Sequence, residues 1–252
     1  MSDTDSFRPQ PRDVIRAFHL LSRLPFPGGD AVRTATSAWA WPLVGAAIAT
    51  LQVALGTGMM ALGGPIWAAA GLALALGTVL TGGLHEDGLA DCADGFWGGH
   101  DRARRLEILK DSRVGSYGVL AMVFAMGLRW SLLAALLPVA PLALITAALL
   151  SRAAMAGLMA RLPFAREDGL AKHVGKPPAN AVRLALGISI VGGLIFAGLW
   201  PGLLAAILVF VTAALAGALA RAKIGGQTGD VLGAAQVLGE IAALLTLAAT
   251  LA

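Results

Sequence analysis

Long apolar runs alternate with short charged segments along this chain, and the spacing of that alternation predicts membrane spans. Residues 34–84 contain no Asp, Glu, Lys or Arg. One helix needs roughly 20 residues to cross a bilayer, so this run holds two spans, divided at Gly63, Gly64 and Pro65. Residues 114–151 carry only the charge of Arg129, and Pro138 and Pro141 split them into two more. Residues 184–220 are uncharged, with Trp200, Pro201 and Gly202 as the expected break. Residues 231–252 make a last span holding only Glu240. The expected fold is all-α: a polytopic transmembrane helical bundle of about seven spans, three hairpins and a terminal helix.

The charged segments fall on alternate connections. Arg8, Arg12, Arg16, Arg23 and Arg33 precede the first span. Arg102, Arg104, Arg105, Lys110 and Arg113 lie in the second segment, Arg161, Arg166, Lys172, Lys176 and Arg183 in the third, Arg221 and Lys223 in the fourth. The intervening Gly/Pro turns carry no charge. Lys and Arg accumulate in cytoplasmic loops, which predicts a cytoplasmic N-terminus (residues 1–35) and an external C-terminus. Residues 13–24 read as an amphipathic helix. Val14, Ala17, Phe18, Leu21 and Leu24 share one face, with Arg16 and Arg23 away from it. Such a helix lies in the membrane interface or packs on the bundle. The polar segments are too short to bury a core of their own, so residues 1–252 read as one integral membrane domain.

Composition agrees. The chain is 57% hydrophobic and 13% charged, against about 25% charge in ordinary soluble domains, and its mean hydropathy is +0.75. A net charge of +4 without a basic, aromatic-interleaved stripe argues against nucleic acid as a partner. The lone Cys92 excludes an intramolecular disulfide and a cysteine-based zinc cluster. Residues 1–30 lack the continuous apolar core of a signal peptide.

Candidate chemistry concentrates in residues 85–113, which hold Glu86, Asp87, Asp91, Asp94, Asp101, Glu107 and Asp111. Asp87, Asp91 and Asp94 are spaced i, i+4, i+7 and share one helical face, where like charges repel. A divalent cation would relieve that repulsion, and hard oxygen donors suit Mg²⁺ or Mn²⁺ rather than zinc. Glu86, Asp87, Asp91 and Asp94 are the candidate metal ligands. A plain solvated acidic loop is the blander alternative; the many interleaved glycines argue against it. His85 is either a ligand or an interfacial residue. Lys110 and Arg113 suit a phosphate, or merely anchor a span. Gly225 to Asp230 precede the last span; Gly226, Thr228 and Asp230 are candidates for an anion cradle at a helix start, although Asp230 could be only a cap. Arg129, Arg152 and Glu240 are charged inside spans, where charges are usually paired or functional. Glu240 is expected to pair with Arg129 or Arg152, and Arg152 to line the substrate cavity. Small residues around Gly187, Gly192 and Gly193 permit close helix contact within the chain or in a homo-oligomer.

Several stretches together resemble the cobalamin synthase family, the adenosylcobinamide-GDP ribazoletransferases. They are LHEDGLADCADGFWGG (residues 84–99), KDSRVGSYG (110–118) and GGQTGDVLGA (225–234), with FHLLSRLPFP (18–27) and SRAAMAGLMARLPFAREDGLAKHVG (151–175). Trp97 is a local departure, standing where a smaller residue is expected and bearing on the pocket behind Asp94. The resemblance implies a bacterial cytoplasmic (inner) membrane enzyme with its site facing the cytoplasm and Mg²⁺ as cofactor. The implied substrates are adenosylcobinamide-GDP and α-ribazole or its 5′-phosphate; the implied products are GMP and adenosylcobalamin or its 5′-phosphate. On that reading Asp87, Asp91 and Asp94 hold metal on the diphosphate, Lys110 and Arg113 take charge on the leaving GMP, and Asp111 or Asp94 receives the hydroxyl proton. Two alternatives remain. CDP-alcohol phosphotransferases share Asp-Gly pairs, but no Ala-Arg follows here at their spacing. A transporter would more often carry its site at mid-membrane on broken helices.

Overall fold

A computed structural model describes residues 7–27 and 35–252. The described residues form eleven α-helices: α1 (Pro11–Leu21), α2 (Trp41–Ala61), α3 (Ile66–Thr81), α4 (Leu84–Gly98), α5 (Arg102–Ile108), α6 (Ser116–Leu136), α7 (Ala143–Arg161), α8 (Leu170–Val174), α9 (Ala179–Ala197), α10 (Leu199–Ile224) and α11 (Gly229–Leu251). A 3-10 turn, Ala35–Ala40, leads into α2. Six helices are long and apolar enough to cross a membrane, seven if α3 and α4 count as one broken span. The chain is a polytopic membrane bundle, as the alternation of runs predicts.

The breaks have local causes. Gly63, at φ +82°, turns α2 into α3 as expected. The break expected at Trp200–Gly202 falls earlier, at Gly198 with φ +84°. Trp200 and Pro201 instead sit in the first turn of α10, where proline forfeits no helical hydrogen bond. Gly82 and Gly83 adopt φ +67° and +69° in succession, backbone that only glycine takes readily. They bend α4 away from α3 by 85°. The second apolar helix therefore ends at Thr81, and α4 packs across α6 and α11.

α7 and α11 are the most buried long helices. α11 packs against α10, α4, α7 and α6. Apolar residues elsewhere face outward, including Val123 and Phe124 on α6, Ile195 on α9 and Leu215 on α10, as the outer surface of a bundle in lipid requires. The helix α1 begins two residues before its expected start at 13 and ends three before its expected end at 24, and it packs on the bundle. Buried Asp13 accepts hydrogen bonds from Gln10 N, Arg16 Nη1 and Trp39 Nε1, each at 3.0 Å. Gly192 and Gly193 meet Leu149 and the start of α10 within the chain, and Gly187 meets nothing within 4 Å.

The crossing of α4 over α11 depends on small residues. A Cβ at position 88 would stand 2.7 Å from the Asp230 carbonyl oxygen, and one at position 233 would stand 3.2 Å from the His85 Cα. Neither obstacle is a flexible side chain. Gly88→Ala should destabilise the protein by about 1–3 kcal/mol through overpacking, read as a lowered melting temperature in detergent. Gly58→Ala, with nothing within 4 Å of its Cβ, should leave the melting temperature unchanged or raise it.

Candidate active site

Four polar segments meet at one end of the bundle. Arg23 N donates to the Leu80 carbonyl at 2.7 Å. Arg102 donates to the carbonyls of Ile224 (2.8 Å) and Ala165 (2.7 Å), clamping α5 onto both later segments. Gln227 N donates to Pro163 O at 2.8 Å and Ala165 N to Gln227 O at 2.9 Å, forming an isolated parallel bridge. These bonds hold residues that are far apart in the chain around a shared cavity.

That cavity, about 110 Å³, lies between α4, α11, α7 and the α8 segment. Asp87, Arg166 and Asp230 line one side. Arg166 Nη2 stands 3.5 Å from Asp230 Oδ2, and its Nε 3.8 Å from Asp168 Oδ1. Lys110 Nζ donates to Asp168 at 2.6 Å, so Lys110, Asp168, Arg166 and Asp230 form a chain of alternating charge. Asp91 stands behind this wall. Burial and then the repulsion of Asp87, Asp230 and Asp94 push its carboxyl up to about 7, against the opposing pull of Arg166.

Several expected roles change. Asp94 is buried, and its two oxygens accept backbone N–H groups of Gly115 (2.7 Å) and Gly118 (2.9 Å). It holds the start of α6, satisfying amides that a helix N-terminus leaves unpaired. Glu86 points away from the aspartate face and pairs with Arg129 inside the bundle. Asp111 is bound by Arg113 through several hydrogen bonds, which hold its carboxyl below the usual range; that is the wrong direction for a base. Arg113 is thereby engaged with Asp111 and largely exposed. Gly226 is pressed against the Pro163 carbonyl beside the bridge, not open as an anion cradle. Thr228 caps α11, accepting from Val231 N and donating to Asp230 Oδ2 at 3.0 Å. Trp97 is exposed, with Lys223 over its ring, and lies outside the cavity. Among the described residues, no group of three His, Cys, Asp or Glu converges in metal-ligand geometry.

The intramembrane charges form a second, inner cluster. Arg129 pairs with Glu86 and with Glu240, the latter at 3.0 Å. The expected Arg129–Glu240 pair is therefore present, with a second carboxylate added. Gln236 Nε2 donates to Glu240 Oε2 at 2.6 Å and to Ser151 Oγ at 3.2 Å. Arg152 lies beside them, lining an inner cavity of about 20 Å³ rather than the larger one. His85 lines both cavities.

Arg166 is the site residue that sequence reading missed. Its charge was legible only as part of a topology signal; the bridge between residues 163–165 and 227 brings it to Asp230. The apolar wall supplied by α1, α2, α7 and α8 gave no sequence signal separate from membrane hydrophobicity.

Fold and site together define a polytopic membrane protein with a carboxylate–arginine cavity at the charged end of its bundle. The chain belongs to the cobalamin-5-phosphate synthase family, whose model matches residues 13–248. Its relatives include an adenosylcobinamide-GDP ribazoletransferase of Azorhizobium caulinodans, 47% identical over 92% of this chain and 94% of that protein. Those of a Sinorhizobium species and of Bradyrhizobium diazoefficiens are 42% identical (94% and 96% covered) and 39% identical (98% and 96% covered). No solved structure matches. Family membership sets aside the CDP-alcohol phosphotransferase and transporter alternatives.

Removing one partner of a buried pair strands the others. Arg129→Met, which leaves two buried carboxylates facing each other, should cost about 3–5 kcal/mol, measured as unfolding in detergent. Lys110→Ala, at an exposed pair, should leave the unfolding midpoint unchanged.

Proposed function

We propose that this chain is an adenosylcobinamide-GDP ribazoletransferase acting at the larger cavity. The observation that carries the reading is the presence of Asp87, Asp230 and Arg166 together in the lining of that cavity, in a chain whose relatives bear that name. A hydroxyl of α-ribazole, or of its 5′-phosphate, attacks the cobinamide-side phosphorus of adenosylcobinamide-GDP. The new P–O bond forms as the bond to GMP breaks, GMP leaves with the electron pair, and the hydroxyl proton passes to a carboxylate. Such transfers need positioning and charge neutralisation more than covalent help.

Mg²⁺ is the proposed cofactor. It often takes one or two carboxylates and completes its shell with substrate phosphates and water. Asp87 and Asp230 fit that donor set, which does not require a prebuilt three-carboxylate cage. When bound, the ion neutralises the diphosphate. Arg166, beside Asp230, binds phosphate oxygens in the fork geometry that guanidinium favours. Asp91, with its raised carboxyl, is best suited to take the proton.

The expected location is the bacterial cytoplasmic membrane with the cavity facing the cytoplasm, in keeping with the Lys and Arg of the polar segments. Alkaline phosphatase fused after Ala252 should be active outside the cell, and fused after Gly175 inactive; the reverse pattern would invert the topology.

Purified protein in liposomes, given adenosylcobinamide-GDP, α-ribazole and Mg²⁺, should release GMP and a completed corrinoid, and EDTA should abolish both. No product from folded protein with either ribazole form would sink the reading. Burial and like charges push the Asp91 carboxyl up to about 7, and a cation on Asp87 and Asp230 would remove part of that repulsion, so turnover should rise with pH to an inflection below about 7 that stays above the ordinary carboxylate range. Asp91→Asn should lower kcat by about 10²–10⁴-fold and remove that inflection while the protein stays folded.

A further inference from the structure

Besides Asp87, Asp230 and Arg166, the larger cavity is lined mainly by apolar residues, among them Leu21, Trp41, Met155, Met159, Leu170 and Val174. A highly charged diphosphate gains nothing from such a wall. Indole and thioether groups are instead the partners that a flat aromatic ring favours.

Two residues that line this cavity and not the inner one each bury a polar atom without a hydrogen-bond partner among the described residues: Trp41 Nε1 and Arg166 Nη1. Buried polar groups are nearly always bonded, so two such atoms at one cavity mark a ligand with its own polar atoms. Trp41 is 1% exposed, which leaves its N–H no route to bulk water. A lipid chain would fill the apolar wall but leave that donor unsatisfied.

Resting on the transferase reading, we propose that this compartment seats the benzimidazole base of the ribazole acceptor. The ring packs against Trp41, Met155 and Met159, and its unsubstituted nitrogen accepts the Trp41 N–H. The ribose then turns toward Asp87, Asp230 and Arg166, where its hydroxyl meets the diphosphate. Trp41 and the two methionines are binding residues for one substrate and make no contact with the other. An apolar wall alone discriminates ring sizes weakly, whereas a buried donor rejects an analogue that lacks the acceptor.

The test uses the full-length protein in liposomes with two acceptors: benzimidazole riboside and indole riboside, in which CH replaces the ring nitrogen. The wild type should use the indole riboside with kcat/KM lower by about tenfold or more, the effect of leaving one buried donor unpaired. Trp41→Phe keeps an apolar ring and removes the donor. It should raise KM for the benzimidazole riboside about tenfold, abolish the preference between the two, and leave KM for adenosylcobinamide-GDP unchanged. Equal use of the two ribosides by the wild type would overturn the assignment, as would a Trp41→Phe effect confined to adenosylcobinamide-GDP. If Trp41→Phe does not fold, the wild-type comparison still decides. If the wild type makes no product from either riboside or from their 5′-phosphates, the transferase reading itself fails, and this inference with it.

Discussion

The placement of α4 depends on Arg129. Its guanidinium lies inside the bundle between Glu86 of α4 and Glu240 of α11, and it joins those helices to α6. A charge in that position is tolerable only because each neighbour answers it. Arg152 is the second cation beside the two glutamates, and Gln236 fills a remaining acceptor of Glu240. Glu86 faces inward, so Asp87 on the same helix faces the other way, toward the cavity, with Asp91 one turn further on. A cluster of adjacent carboxylates is thus divided between structure and site by the helical turn.

The same economy governs the polar segments. Arg102 hydrogen-bonds to carbonyls at the end of α10 and in the α7–α8 connection, and Asp94 holds the first amides of α6. Residues that look alike in a list of charges therefore have unlike duties. Those with every hydrogen bond satisfied by backbone are supports. Asp91, crowded by like charges and partly buried, and Arg166, with an unpaired nitrogen, are left available for chemistry.

The bundle was legible in the sequence because apolar run length and Gly/Pro punctuation report directly on spans. Two boundaries were misplaced for the same reason: hydropathy does not register a backbone turn. The Gly82–Gly83 bend falls at the end of an uninterrupted apolar run, and Pro201 looks like a breaker but suits a helix start. The acidic face on α4 was also legible, since i, i+4 spacing fixes which side chains align. Glu86 and Asp94 could not be sorted from Asp87 and Asp91 by spacing, because their partners, Arg129 and the amides of Gly115 and Gly118, lie elsewhere in the chain. Arg166 reaches the site only through a bridge between segments more than 60 residues apart, a contact invisible to local pattern.

The bend after α3 also has a consequence for the surrounding lipid. α3 has only 16 residues, a length of about 24 Å at 1.5 Å per residue, against a hydrocarbon thickness of about 30 Å. Beside this helix the acyl layer must thin or the helix must sit off-centre, each at a modest free-energy cost per ångström of mismatch. Bilayer thickness becomes a variable that acts on this enzyme from outside, with short-chain lipids matching its α3 side better than long-chain ones.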